Sequence, residues 1–174
     1  MPVDLSKLVQ RPFLDSNEWQ IVERVADLLH AHLNTESAQT RLLNANRPGV
    51  SSAAVQDTFL SYATELGFES EKKGLFARED LALRPDYYLE IEKTGIILEV
   101  ERGKTTINNM DLLDFWKCHM CGDANYLFLL VPKALRQNDK MSPRNEYATV
   151  GRRLEQFFRP SNYTNVRGLC LFGY

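Results

Sequence analysis

Apolar residues recur at helical spacing over 18–34, where Ile21, Val22, Val25, Leu28, Leu29 and Leu33 share a face behind a capping-box pair, Asn17 and Gln20. A shorter helix is predicted from Glu36 to Asn44, ended by the Arg47-Pro48-Gly49 break. A third, capped by Ser51 or Ser52, aligns Val55, Phe59, Tyr62, Ala63 and Leu66 and stops at Gly67. Beyond it the period changes from helical to alternating. Phe68 to Lys72, Arg84 to Glu92 and Gly95 to Glu101 read as strands, and Tyr126 to Val131 is an unbroken apolar run suited to a central strand covered on both faces. Between them, Asn108 with Asp111 caps a predicted helix whose apolar set is Leu112, Leu113, Phe115, Trp116 and Met120, ended by Gly122. Asn145 to Phe158 reads as an amphipathic helix and Val166 to Phe172 as a last strand.

From Ser51 onward the order is α-β-β-β-α-β-α-β, which predicts an α/β fold with a mixed central sheet flanked by helices. A single domain over 1–174 is expected, with a helical extension over 1–48 and a core over 50–174. No apolar stretch approaches the roughly 20 residues needed to span a bilayer, and Met1 to Leu8 lacks a secretory pattern, so a soluble, cytoplasmic protein without a membrane partner is expected. Three cysteines do not make a disulfide framework.

Net charge is only −2, but it is unevenly spread. Residues 1–132 hold 13 basic and 20 acidic side chains, whereas 133–167 hold 8 and 3. Lys133, Arg136, Lys140, Arg144, Arg152 and Arg153 in that basic segment are candidate phosphate contacts, if the fold sets them beside an acidic site; a solvated basic face is the alternative.

The acidic site is sought in the stretch from Arg84 to Lys104. With Lys93-Thr94 as a two-residue turn, Tyr87 opposes Val100, Leu89 opposes Leu98 and Ile91 opposes Ile96, which makes one face apolar. The other face then sets Asp86 across from Glu101 and Tyr88 across from Glu99, while Glu90 and Glu92 lie toward the turn. Carboxylates so clustered repel, and a hard divalent cation relieves them. A solvated acidic sheet face is the competing reading of the same pattern.

Pro85-Asp86 followed by Glu99-Val100-Glu101 resembles the Pro-Asp…Glu-X-Lys signature of the PD-(D/E)XK nuclease superfamily, and the order of elements from Ser51 to Phe172 resembles its restriction endonuclease-like core. The resemblance implies a Mg²⁺-dependent endonuclease of restriction or repair type, with Mn²⁺ as a substitute ion and DNA as substrate, RNA remaining compatible. It also implies Asp86 and Glu99 as metal ligands, joined by the Val100 carbonyl. Glu101 stands where the superfamily usually has Lys, which suggests a general base or a further ligand. Lys104, three residues on, is a candidate for the missing cation and Lys117 a second one. A homodimer is expected for cleavage of both strands. A catalytically silent module that holds nucleic acid or a partner protein, and an acidic structural metal site, are the rival readings.

Other motifs carry less. Cys118-His119-Met120-Cys121 is half of a zinc knuckle without its second pair, and His30 and His32 belong to the first helix. Gln56 is either a site-lining residue or an exposed helix position. No phosphate-binding glycine loop or nucleophile elbow occurs.

Overall fold

The computed structural model describes residues 2–47, 49–70, 83–103, 105–135 and 143–174. Side-chain period sorts the chain into three layers. The helices α1 (Asn17–Leu33), α2 (Glu36–Ala45) and α3 (Ser52–Glu65) cover one face of a six-stranded sheet, and α4 (Met110–Met120) with α5 (Glu146–Leu154) covers the other. The strands are β1 (Asp4–Val9), β2 (Glu69–Ser70), β3 (Tyr87–Ile91), β4 (Thr94–Val100), β5 (Tyr126–Val131) and β8 (Gly168–Gly173). A two-stranded ribbon, β6 (Ala134–Leu135) with β7 (Arg144–Asn145), stands apart. Among the described residues no helix is long and apolar enough to cross a membrane.

Sheet order is β1-β8-β5-β4-β3-β2. β4, β5 and β8 run parallel, while β3 is antiparallel to β4, β2 to β3, and β1 to β8. The mixed α/β class and the core order expected from the sequence hold. β5 is fully buried along its length, because helices cover both of its faces. Its Tyr126, Phe128 and Leu130 join the core under α1 to α3, and Leu127, Leu129 and Val131 join the one under α4 and α5.

Several boundaries differ from the sequence reading. Residues 4–9 form an edge strand on β8 ahead of the first helix. Ser16 rather than Asn17 caps α1, its hydroxyl accepting from the Trp19 N–H at 3.1 Å. The strand expected over Phe68 to Lys72 comprises Glu69–Ser70, and its end lies outside the described residues. Gly67 does stop α3, with φ +98°, a conformation that glycine adopts without strain. The final helix divides into α5 and a 3₁₀ turn over Glu155–Phe158.

Two corrections bear on chemistry. The β3–β4 turn is Glu92-Lys93, not Lys93-Thr94, so Ile91 pairs with Thr94, Leu89 with Ile96 and Tyr87 with Leu98. Thr94 is drawn into the ladder because its buried hydroxyl donates to Asn125 Oδ1 at 2.9 Å, which leaves Glu92 to adopt φ +46° in the turn. The slip is two residues. An even slip keeps every side chain on its face. The second correction concerns α4. Leu113, Trp116 and Met120, expected in its core stripe, are 54, 43 and 48% exposed, and the face turned inward is Asp111, Asp114, Phe115 and Cys118. Asn109, in a left-handed conformation, precedes the helix in place of Asn108.

Candidate active site

Along β4, Ile96, Leu98 and Val100 pack toward α1 to α3, so Ile97 and Glu99 turn toward α4. The corrected register continues to Asp86 beside Glu99. There the main chain clasps itself: the Asp86 N–H donates to Glu99 Oε2 at 3.3 Å, and the Val100 N–H donates to Asp86 Oδ2 at 2.8 Å. Asp86 and Glu99 therefore share one face at the carboxyl end of the parallel strands, where ligand sites of open α/β sheets gather.

The inward face of α4 meets this pair. Lys117 Nζ lies 2.6 Å from Glu99 Oε1 and 3.3 Å from Asp114 Oδ1, one turn earlier on the helix. Glu99 is 4% and Asp114 1% exposed, so both carboxylates are almost wholly out of water. Glu101 is half-buried beside Asp114, its carbonyl accepting from the Tyr174 hydroxyl at 2.8 Å. Glu99 and Asp114 thus hold the Lys117 ammonium between them, with Asp86 and Glu101 adding their charge to this pair.

Burial and mutual repulsion raise their proton affinities. Burial pushes the Glu99 carboxyl well above its usual range, with Asp114 and Asp86 adding to it and Lys117 opposing. Burial, then the charge and hydrogen bond of Asp114, then Asp86 push Glu101 up to about 8. Asp114 rises to about 6, chiefly by burial, against the pull of Lys117. Burial disfavours the Lys117 ammonium, but Glu99 and Asp114 outweigh it and raise its proton affinity.

The donor chemistry fits a hard divalent cation, and the ammonium of Lys117 already stands as a cation against Glu99. Among the described residues no three His, Cys, Asp or Glu side chains form a ready-made metal cage. A metal taking Glu99 would have to displace Lys117 from it.

The other expected residues are spread more widely. Lys104, Arg136 and Lys140 lie outside the described residues. Lys133 is engaged by Asp4 Oδ1 at 2.9 Å, and Arg153 by Asp111 Oδ2 at 3.3 Å, the Thr106 carbonyl and Asn109 Oδ1. Arg144 and Arg152 are exposed. Glu90 and Glu92 are exposed toward the turn, away from the cluster. Gln56 accepts from the Tyr87 hydroxyl at 3.3 Å. Cys118 and Cys121 are buried thiols, and the His119 ring accepts from the Asn165 N–H.

Asp114 was missed in the sequence. Its signal was the spacing 111, 114, 115 and 118, which is a helical face in its own right, hidden by the more apolar stripe of Leu113, Trp116 and Met120.

No protein-family model matches the chain, and no curated protein matches it. Among solved structures the chain is similar to the restriction endonuclease BglII complexed with a DNA 16-mer, with TM-score 0.47 and 12% identity over 99% of this chain and 78% of that one. It is also similar to free BglII, with TM-score 0.39 and 10% identity over 99% and 79% of the two chains.

Proposed function

We propose that the chain is a divalent-metal-dependent nuclease that hydrolyses phosphodiester bonds in DNA. The observation that carries this reading is the gathering of Asp86, Glu99, Glu101 and Asp114 at the carboxyl end of the parallel strands, with Lys117 held between Glu99 and Asp114. Asp86 and Glu99 with the Val100 carbonyl would hold Mg²⁺ or Mn²⁺, which when bound lowers the pKa of a water and offsets charge on the scissile phosphate.

The protein's own groups do the rest. The raised proton affinity of Glu101 suits it to take the proton of the attacking water at its carboxylate. Lys117, from α4, supplies the positive charge that the strand lacks where Glu101 replaces the usual Lys. The two carboxylates beside it keep it protonated against its burial and place it at the site. The exposed Arg144 and Arg152 are free to meet phosphates, whereas Lys133 and Arg153 have internal partners.

Plasmid and single-stranded DNA incubated with the protein in Mg²⁺ or Mn²⁺ should be cleaved, and chelator should stop the reaction. Asp86→Asn and Glu99→Gln should remove it. Cation and DNA binding without cleavage of any DNA would replace this reading with that of a silent nucleic-acid-binding module.

A further inference from the structure

Asp114 has two neighbours that pull it in different directions, Lys117 on one oxygen and Glu101 beside it. Its Oδ1 already lies 3.3 Å from the Lys117 ammonium, and the carboxyl is buried to 1% exposure. A carboxylate so deeply placed beside another carboxylate is costly unless it serves a cation.

Glu99 is fully engaged. One of its oxygens is on the Lys117 ammonium and the other receives the Asp86 N–H. A divalent ion that takes Glu99 must part it from Lys117. Asp114 lies three residues before Lys117 on the same helix, so it stays within reach when the ammonium leaves Glu99. Its Oδ1, which already accepts from the ammonium at 3.3 Å, can hold it there.

Resting on the proposed cation-dependent reading, we infer that Asp114 is a positioning residue that takes Lys117 from Glu99, freeing Glu99 for the metal while keeping the ammonium in the site. Asp114 then acts on the metal through Lys117. Without it, Lys117 has Glu99 as its remaining counter-ion and competes with the metal for that oxygen.

The arrangement predicts a dependence that a direct metal ligand would not have. Mn²⁺ affinity is measured by calorimetry, without nucleic acid, on the wild type, Asp114→Asn, Lys117→Met and the double variant, with thermal unfolding to confirm folding. Asp114→Asn should weaken Mn²⁺ binding about tenfold, as loss of an outer partner does. In the Lys117→Met background, where no ammonium competes, the same change should cost about threefold or less, the through-space share of one lost charge. Lys117→Met alone should bind at least as tightly as wild type.

Equal losses in both backgrounds would make Asp114 a direct ligand and overturn the inference, as would wild-type affinity in Asp114→Asn. Absence of Mn²⁺ binding in the wild type would instead overturn the cation-dependent reading itself, together with this inference. Wild-type binding abolished by Asp86→Asn keeps that reading intact whichever way the Asp114 comparison falls.

Discussion

Helix α4 carries two buried aspartates one turn apart, Asp111 and Asp114, and each meets a cation and a second acidic side chain in a different way. Asp111 is 0% exposed and pairs with Arg153 Nε at 3.3 Å. The same guanidinium donates to the Thr106 carbonyl at 3.1 Å and Asn109 Oδ1 at 2.7 Å, and Glu146 Oε2 accepts from the Thr106 N–H at 3.1 Å. A planar fork with several fixed partners is a clamp. Asp114 meets instead the single, rotatable ammonium of Lys117, shared with Glu99 and outnumbered by carboxyls. The first arrangement ties the segment after β4 to α5. The second leaves a rotatable ammonium between carboxyls, the arrangement on which the proposed cation site rests. Burial and residue type are nearly the same in both, so the nature of the cation and the number of carboxyls around it separate the clamp from the proposed site.

The largest expected effect tests that separation. Asp86→Asn or Glu99→Gln should lower DNA cleavage by about 10³-fold or more, on the order of 4 kcal/mol in the barrier, with thermal stability retained. Asp111→Asn should keep cleavage within about tenfold of wild type. A cleavage loss at Asp111 as deep as that at Glu99 would merge the two clusters into one site.

Next in size is the clamp. Arg153→Met leaves Asp111 buried without its counter-ion and frees the Thr106 carbonyl. Arg153 is partly solvated, so the loss of folding stability should be about 2–3 kcal/mol, below that of a wholly buried pair. Denaturant unfolding measures it. A smaller loss at Arg153 than at Lys117 would reverse the roles assigned to them.

The least direct test lies in the pH dependence of the metal-free protein. Glu101 and Asp114 bind protons more tightly folded than unfolded, so their contribution to stability is complete at low pH and fades as pH rises. The window runs from the ordinary 4.5 to about 8 for Glu101, and from 3.8 to about 6 for Asp114. Thermal unfolding in the presence of chelator should show the midpoint falling between pH 5 and 8, with a shallower fall in Glu101→Gln. An equal slope in that variant would place the titration elsewhere.

The parts legible in the sequence are those set by side-chain period. β5 announces itself because both faces are dry, and the facing of Asp86 and Glu99 follows from alternation, which a two-residue slip leaves unchanged. The turn position does not follow from alternation, since it was decided by the bond of Thr94 to Asn125, distant in sequence. The face of α4 was misread because hydrophobicity ranks Leu113, Trp116 and Met120 above Asp111 and Asp114, whereas the fold buries the aspartates with partners from other elements. Lys117 was visible as a candidate, but its two carboxylate partners come together only in three dimensions. β1 was overlooked because an edge strand half open to water has a weak apolar pattern.

The segment that leaves β4 is held from three sides. The Glu101 carbonyl takes the Tyr174 hydroxyl, Arg102 Nε donates to the Ala45 carbonyl at the end of α2, and Thr106 is gripped by Glu146 and Arg153. These partners belong to the end of the chain, the helical layer on the opposite face and α5. Opening the segment alone would break contacts to all three, so its backbone is coupled to the cooperative unit of the whole fold rather than to local fraying. The positions that frame the acidic cluster are consequently fixed by global stability, and the freedom that the proposed cation would need resides in side chains, Lys117 first among them.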